Sequence, residues 1–118
     1  VSKQSCQLQL VNGNYKTDIA SARTFGFEKD VDLLRSNGLA LGGSLDNALV
    51  FDDQGPMNPG GLRAPNEPVR HKILDAMGDM ALLGHPFCGR LVAVRPGHGM
   101  IFKLVKAILS DSNSWKIQ

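Results

Sequence analysis

Val69-Arg70-His71-Lys72-Ile73-Leu74-Asp75-Ala76-Met77-Gly78-Asp79 is the stretch around which the chain is organised. Asn66 and Pro68 stand before it and Gly84 follows it. Proline in the first turn and glycine just past the end are start and stop signals for a helix, so a helix is predicted over about 68–83. At about 100° per residue, Val69, Ile73, Met77 and Met80 form one apolar stripe. His71, Asp75 and Asp79 fall together on the opposite side, within roughly 80° of one another. His71 and Asp75 are an i,i+4 pair, so their side chains lie one above the other. An imidazole and a carboxylate placed this way suit zinc. They also suit the solvated face of an amphipathic helix, and spacing alone favours that plainer reading, since a lone His/Asp pair is common.

The 118 residues are the size of one domain, and 42% hydrophobic with 20% charged residues is an ordinary globular composition. The formal charge of +2 is small and the basic residues are scattered. That argues against a nucleic-acid surface, which needs a basic patch or stripe. No apolar run in these residues is long enough to span a membrane, and no signal-peptide pattern appears in them. A cytoplasmic protein without a transmembrane segment is expected. The first residue is valine, which predicts a processed chain or a piece of a longer one. Cys6 and Cys88 form no C-x-x-C pair. They read as reduced, buried, cytosolic cysteines, and a disulfide between them stays open.

Residues 6–11 alternate, with Cys6, Leu8 and Leu10 on one face and Gln7 and Gln9 on the other, the pattern of a strand. A short helix from Tyr15 to Ala22, capped by Asn14, is expected next, and Arg23 to Phe27 is expected to be extended. Glu28 to Ser36 reads as a helix with Gly38 past its end. Ala48-Leu49-Val50-Phe51 reads as a strand, and Asp52 to Pro68, with its prolines and glycines, as a loop. Cys88 to Arg95 carries the apolar run Leu91-Val92-Ala93-Val94, read as a buried strand. A second amphipathic helix is expected from Met100 to Leu109, with Leu104, Val105, Ile108 and Leu109 on its apolar side. This mixed order predicts an α+β fold, with helices packed on a sheet.

Three histidines are present. His71 and His85 lie about 20 Å apart along a helix and cannot share one metal. His85 reads as a turn residue before Pro86. His98 stands between Gly97 and Gly99, after a strand and at the entrance to a helix. Flanking glycines permit an unusual backbone or a close approach, and such positions often carry function. A turn or capping histidine is the alternative. Gly42-Gly43 lacks the patterns of a phosphate loop and reads as a bend. No Ser-His-Asp order or G-x-S-x-G elbow occurs.

Four stretches, in order, carry a family resemblance. They are Ala22-Arg23-Thr24-Phe25-Gly26-Phe27, Gly38-Leu39-Ala40-Leu41-Gly42-Gly43-Ser44, the Val69–Asp79 stretch, and Gly97-His98. The chain from about Ile19 to Leu109 resembles the second domain of UDP-3-O-acyl-N-acetylglucosamine deacetylase, the zinc amidase of lipid A biosynthesis. The resemblance implies that residues 1–118 are a C-terminal domain portion, truncated at its N-terminus. It implies that His71 and Asp75 are two of three zinc ligands. The third ligand and a glutamate general base would come from a missing first domain. His98 matches the catalytic histidine, Asp79 the carboxylate that orients it, and Thr24 a threonine that helps hold the oxyanion. Lys72 and Phe25 match residues that contact the sugar-nucleotide. The segment 27–50 matches an inserted β-α-β-β unit that forms the passage for the acyl chain, with Phe27, Val31, Leu39, Ala40, Gly43, Ser44, Leu45 and Asn47 assigned to substrate. Plain core packing is the alternative for Phe27, Val31, Leu39 and Leu45. A non-catalytic α+β interaction module is the rival reading of the whole chain.

Overall fold

The computed structural model describes residues 2–118. The fold is α+β. In chain order it consists of strand β1 (Thr24–Phe27), helix α1 (Glu28–Ser36), strand β2 (Ala48–Phe51), helix α2 (Glu67–Met80) and helix α3 (His98–Ser110). A π-helical turn, Tyr15–Ile19, precedes β1, and a 3-10 turn, Ala81–Leu83, follows α2. The chain divides into two compact units within α2, one running up to His71 and the other Lys72–Gln118.

In the first unit β1 and β2 pair in parallel, in the register Thr24↔Ala48 to Phe27↔Phe51. Parallel neighbours need a long crossover, and α1 with the loop after it supplies one. Helix α1 ends in a Schellman motif: Leu39 N–H donates to the Leu34 carbonyl at 2.8 Å and Gly38 N–H to that of Arg35 at 3.0 Å. Gly38 has φ +73°, the left-handed position that this cap requires and glycine tolerates. Ile19, Ala22, Leu49 and Phe51 are buried. The Phe25 and Phe27 rings pack against Phe51, at centroid distances of 6.4 and 6.1 Å. Asn58, also buried, braces β2. Its Oδ1 accepts from Val50 N–H, and its Nδ2 donates to the Leu45 and Ala48 carbonyls. In the second unit Ala76 and Met80 of α2 pack with Ile101 and Val105 of α3, with Leu83 and Ile108 at the margin. Burying a side chain of the size of Met80, Ile101 or Val105 contributes about 1.5–3 kcal/mol.

Several expectations are corrected. Residues 6–11 and 88–95 form no strand. A strand lasts only where a neighbour takes its backbone N–H and C=O groups, and among the described residues the one sheet has two strands, β1 and β2. Cys6 and Leu8 are half-buried between exposed glutamines, so the alternation persists without the ladder, while Leu10 is exposed. The run expected to be buried leaves Val92 72% and Val94 79% exposed. Both cysteines are free thiols, Cys6 half-buried and Cys88 exposed. Of the β-α-β-β order expected over 27–50, α1 and β2 lie within those bounds and Phe27 ends β1; 39–41 form no strand. Asn14 does not cap the first helical turn. Its side chain instead accepts from Val11 N–H and donates to the Gln9 carbonyl. On α3 the buried residues are Ile101 and Val105, whereas Leu104 and Leu109 are exposed. On α2 the buried apolar positions are Pro68, Ala76 and Met80, with Val69, Ile73 and Met77 half-buried.

Candidate active site

Helix α2 begins where local chemistry permits. Pro68 lies in its first turn and lacks an N–H that would need a partner. The Val69 N–H is accepted by Gln4 Oε1 at 3.3 Å. Helical geometry then sets His71 and Asp75 one turn apart. His71 Nδ1 lies 2.9 Å from the Ala22 carbonyl oxygen. That oxygen can only accept, so Nδ1 carries a proton, which in a neutral ring leaves the lone pair on Nε2. Metal-binding histidines show this arrangement, with the second nitrogen donating to a carbonyl or carboxylate. The donor set of His71 and Asp75 therefore fits zinc in kind. It is two ligands where a catalytic zinc takes three, and among the described residues no three of His, Cys, Asp and Glu group around a metal position.

Beside His71 the first unit holds an ion pair that sequence reasoning missed. Glu67 is 1% exposed. It accepts from Arg23 Nε at 2.8 Å, Arg23 Nη2 at 3.0 Å, Arg23 N–H at 3.0 Å and Arg63 N–H at 2.8 Å. Burial pushes its carboxyl up. The Arg23 side chain, the two backbone donors and the Arg23 charge outweigh burial and hold it down at about 2. The Glu67 hydrogen bond and charge raise the Arg23 guanidinium against the opposing effect of its own desolvation. Glu67 and Arg23 are 44 residues apart, so no spacing pointed to them. A buried carboxylate must be paired, but that rule applies only once burial is known. Thr24, next after Arg23, opens β1 and is exposed.

In the second unit His98 is the first residue of α3, and its Nδ1 lies 2.6 Å from Asp79 Oδ2. Asp79 is mostly buried, while the His98 side chain is 59% exposed. The imidazole stacks on Phe102 one turn along, with centroids 6.1 Å apart. A shallow cleft is lined by Lys72, Asp75, Pro96, Gly97, His98 and Ile101. The flanking glycines do not provide the expected backbone: Gly97 is extended at φ −148°, Gly99 has no positive φ, and a Cβ at either would meet open space.

The residues assigned to the acyl chain lie in the first unit. Phe27 is half-buried against Phe51, with Lys29 Nζ 5.9 Å from its centroid. Val31 is half-buried. Leu39 is 56% and Leu45 42% exposed, which corrects the core-packing alternative for those two: both lie beyond the α1 cap, in a segment that buries little. Asn47 organises this segment, donating to the Gly42 carbonyl and accepting from Ser44 N–H. Ser44 Oγ accepts from Asp46 N–H. Ala40 adopts φ +55°, and a Cβ on Gly43 would lie 3.3 Å from the Ala40 carbonyl oxygen.

The fold and these side chains define an α+β domain that presents a histidine and an aspartate on one helix turn and an aspartate-bound histidine at the mouth of a second. The chain belongs to the UDP-3-O-acyl N-acetylglycosamine deacetylase family, whose sequence pattern matches residues 1–110. It is 48% identical to the UDP-3-O-acyl-N-acetylglucosamine deacetylase of Syntrophus aciditrophicus over 98% of this chain and 36% of that protein. The protein of the same description from Psychrobacter arcticus is 50% identical, over 97% and 36%. That from Campylobacter fetus subsp. fetus is 52% identical, over 99% and 40%. The chain thus spans well under half the length of these relatives. Among the described residues no helix is long and apolar enough to cross a membrane.

Proposed function

We propose that this chain is part of a cytoplasmic zinc-dependent deacetylase that removes acetate from UDP-3-O-acyl-N-acetylglucosamine in lipid A biosynthesis. The observation that carries the reading is the cleft shared by Lys72, Asp75 and His98, with His98 bonded to Asp79 at 2.6 Å. His71 Nε2 and the Asp75 carboxylate would hold the metal. A third ligand and the general base come from a first domain, in keeping with the greater length of the relatives. Zinc, when bound, supplies a Lewis acid that polarises the amide carbonyl and lowers the pKa of water.

The chain's own residues do the rest. Asp79 accepts from His98 Nδ1 and fixes the ring, and a proton at Nε2 faces the charge that develops on the carbonyl oxygen. Thr24 is assigned the family's oxyanion-holding hydroxyl. Water supplies the second oxygen of acetate, adding to the carbonyl as the first domain's base takes its proton; as the C–N bond then breaks, His98 passes its Nε2 proton to the departing amine and acetate leaves. Lys72 and Phe25 are each assigned to the sugar-nucleotide, and the segment from Phe27 to Val50 to the acyl chain.

The test mixes this chain with zinc and with the separately expressed part of the Campylobacter fetus relative that it does not match, and follows acetate release. Activity in the mixture alone supports the reading. A mixture that retains no zinc and releases no acetate overturns it in favour of the non-catalytic interaction module.

A further inference from the structure

The peptide that joins Ala22 to Arg23 is held at both ends by α2. Its N–H donates to Glu67 Oε1 at 3.0 Å, and its carbonyl accepts from His71 Nδ1 at 2.9 Å. The two groups of a trans peptide point in opposite directions, and Glu67 and His71 stand one helical turn apart. One turn of α2 therefore grips a single peptide plane. Glu67 itself has little room to move. Both its oxygens are committed to Arg23 and Arg63, and Arg23 is anchored a second time, through Nη2, on the Gly61 carbonyl at 2.9 Å. Turning the Ala22 carbonyl away from His71 would pull the Arg23 N–H off Glu67 and leave buried groups unpaired.

We propose that Glu67 is a positioning residue for His71: by fixing the Ala22–Arg23 peptide it holds the imidazole as the Nδ1–H tautomer, with Nε2 as the metal-binding atom. Its consequence for metal binding rests on the reading of His71 as a ligand. A carboxylate that served only to pair Arg23 would leave the tautomer of His71 indifferent to it.

The experiment is imidazole nitrogen NMR of the metal-free chain, so its outcome and that of the zinc reading are distinct. The neutral His71 ring should carry its proton on Nδ1; a proton found on Nε2 overturns the proposal. Glu67→Gln keeps an oxygen to accept from Arg23 N–H, and should retain the single tautomer although the ion pair is lost. A mixed population in that variant overturns it. Arg23→Met/Glu67→Met replaces the buried pair with apolar side chains of similar length, an exchange that folds commonly tolerate, and removes the acceptor. Loss of the single tautomer is expected there, and a folded double variant with the tautomer unchanged overturns the proposal. If the double variant does not fold, Glu67→Met alone, which also removes the acceptor of the Arg23 N–H, is read in its place: loss of the single tautomer is expected, and an unchanged tautomer overturns the proposal.

Discussion

Acid should remove part of the first unit's stability through one carboxyl group. Despite its burial, which opposes ionisation, the Arg23 and Arg63 donors hold Glu67 at about 2 against an ordinary value of 4.5. A group whose folded pKa is depressed adds stability that is complete above its unfolded value and is lost as pH falls through its folded value. The window therefore opens at about pH 4.5 and closes at about pH 2. At about 1.4 kcal/mol per pH unit, a gap of that width carries on the order of 3 kcal/mol. That is a large share of a small domain's total of about 5–15 kcal/mol. The perturbation that isolates it is Glu67→Gln, which keeps the shape and one acceptor but cannot ionise. Urea unfolding midpoints of the chain and the variant would be compared from about pH 6 to about pH 2.5. The chain's advantage over the variant should be greatest above about pH 4.5 and should shrink steadily below it. An advantage that stays constant through the window would refute the reasoning, because ionised Glu67 would then contribute nothing that protonated Glu67 does not.

In the intact enzyme His71→Ala and Asp75→Ala should each lose zinc and activity while keeping the helical circular dichroism signal, since neither is in the buried cluster of α2; full zinc with normal turnover in either would sink the ligand assignment. His98→Ala should lower kcat by about 10²–10⁴-fold with zinc content unchanged. Asp79→Asn should do the same more weakly, and the double variant should be little worse than His98→Ala; losses that multiply fully would dissolve the pair seen at 2.6 Å. Leu39→Ser and Leu45→Ser remove exposed apolar groups, so stability should change by no more than about 0.5 kcal/mol. Turnover of long-acyl substrates should fall more than that of short ones, and an equal loss for both would remove these residues from the acyl passage.

What was legible in the sequence divides by where each element finds its hydrogen bonds. Helix α1 runs from Glu28 to Ser36 as its pattern predicts, because a helix satisfies its backbone internally and Gly38 supplies the stop. Helix α2 and the turn Ala81–Leu83 together cover the expected span, ending at Gly84 with φ +79°. The runs at 6–11 and 88–95 have the alternation or β-branched content of strands, but a strand borrows its partners from elsewhere in space. Side-chain pattern states a preference for a pleated, half-buried surface; it does not supply the neighbour. Leu49 and Phe51, whose strand has Thr24–Phe27 beside it, are buried, while Val92 and Val94, with no described partner, are exposed.

The same division runs through the candidate site. The i,i+4 spacing put His71 and Asp75 on one face, and that face was open to two uses, as ligands or as solvated surface. Spacing could not separate them, because both uses require the same residues on the same helix turn. A distinction comes from outside the helix, in the Ala22 carbonyl 49 residues earlier, which takes the Nδ1 proton. A solvated histidine has no need of a fixed tautomer. A ligand does, since only an unprotonated nitrogen binds metal. The case for His71 as a ligand accordingly rests less on its distance from Asp75 than on the carbonyl behind it. That carbonyl is in place because Glu67, buried one turn earlier, holds the other end of its peptide.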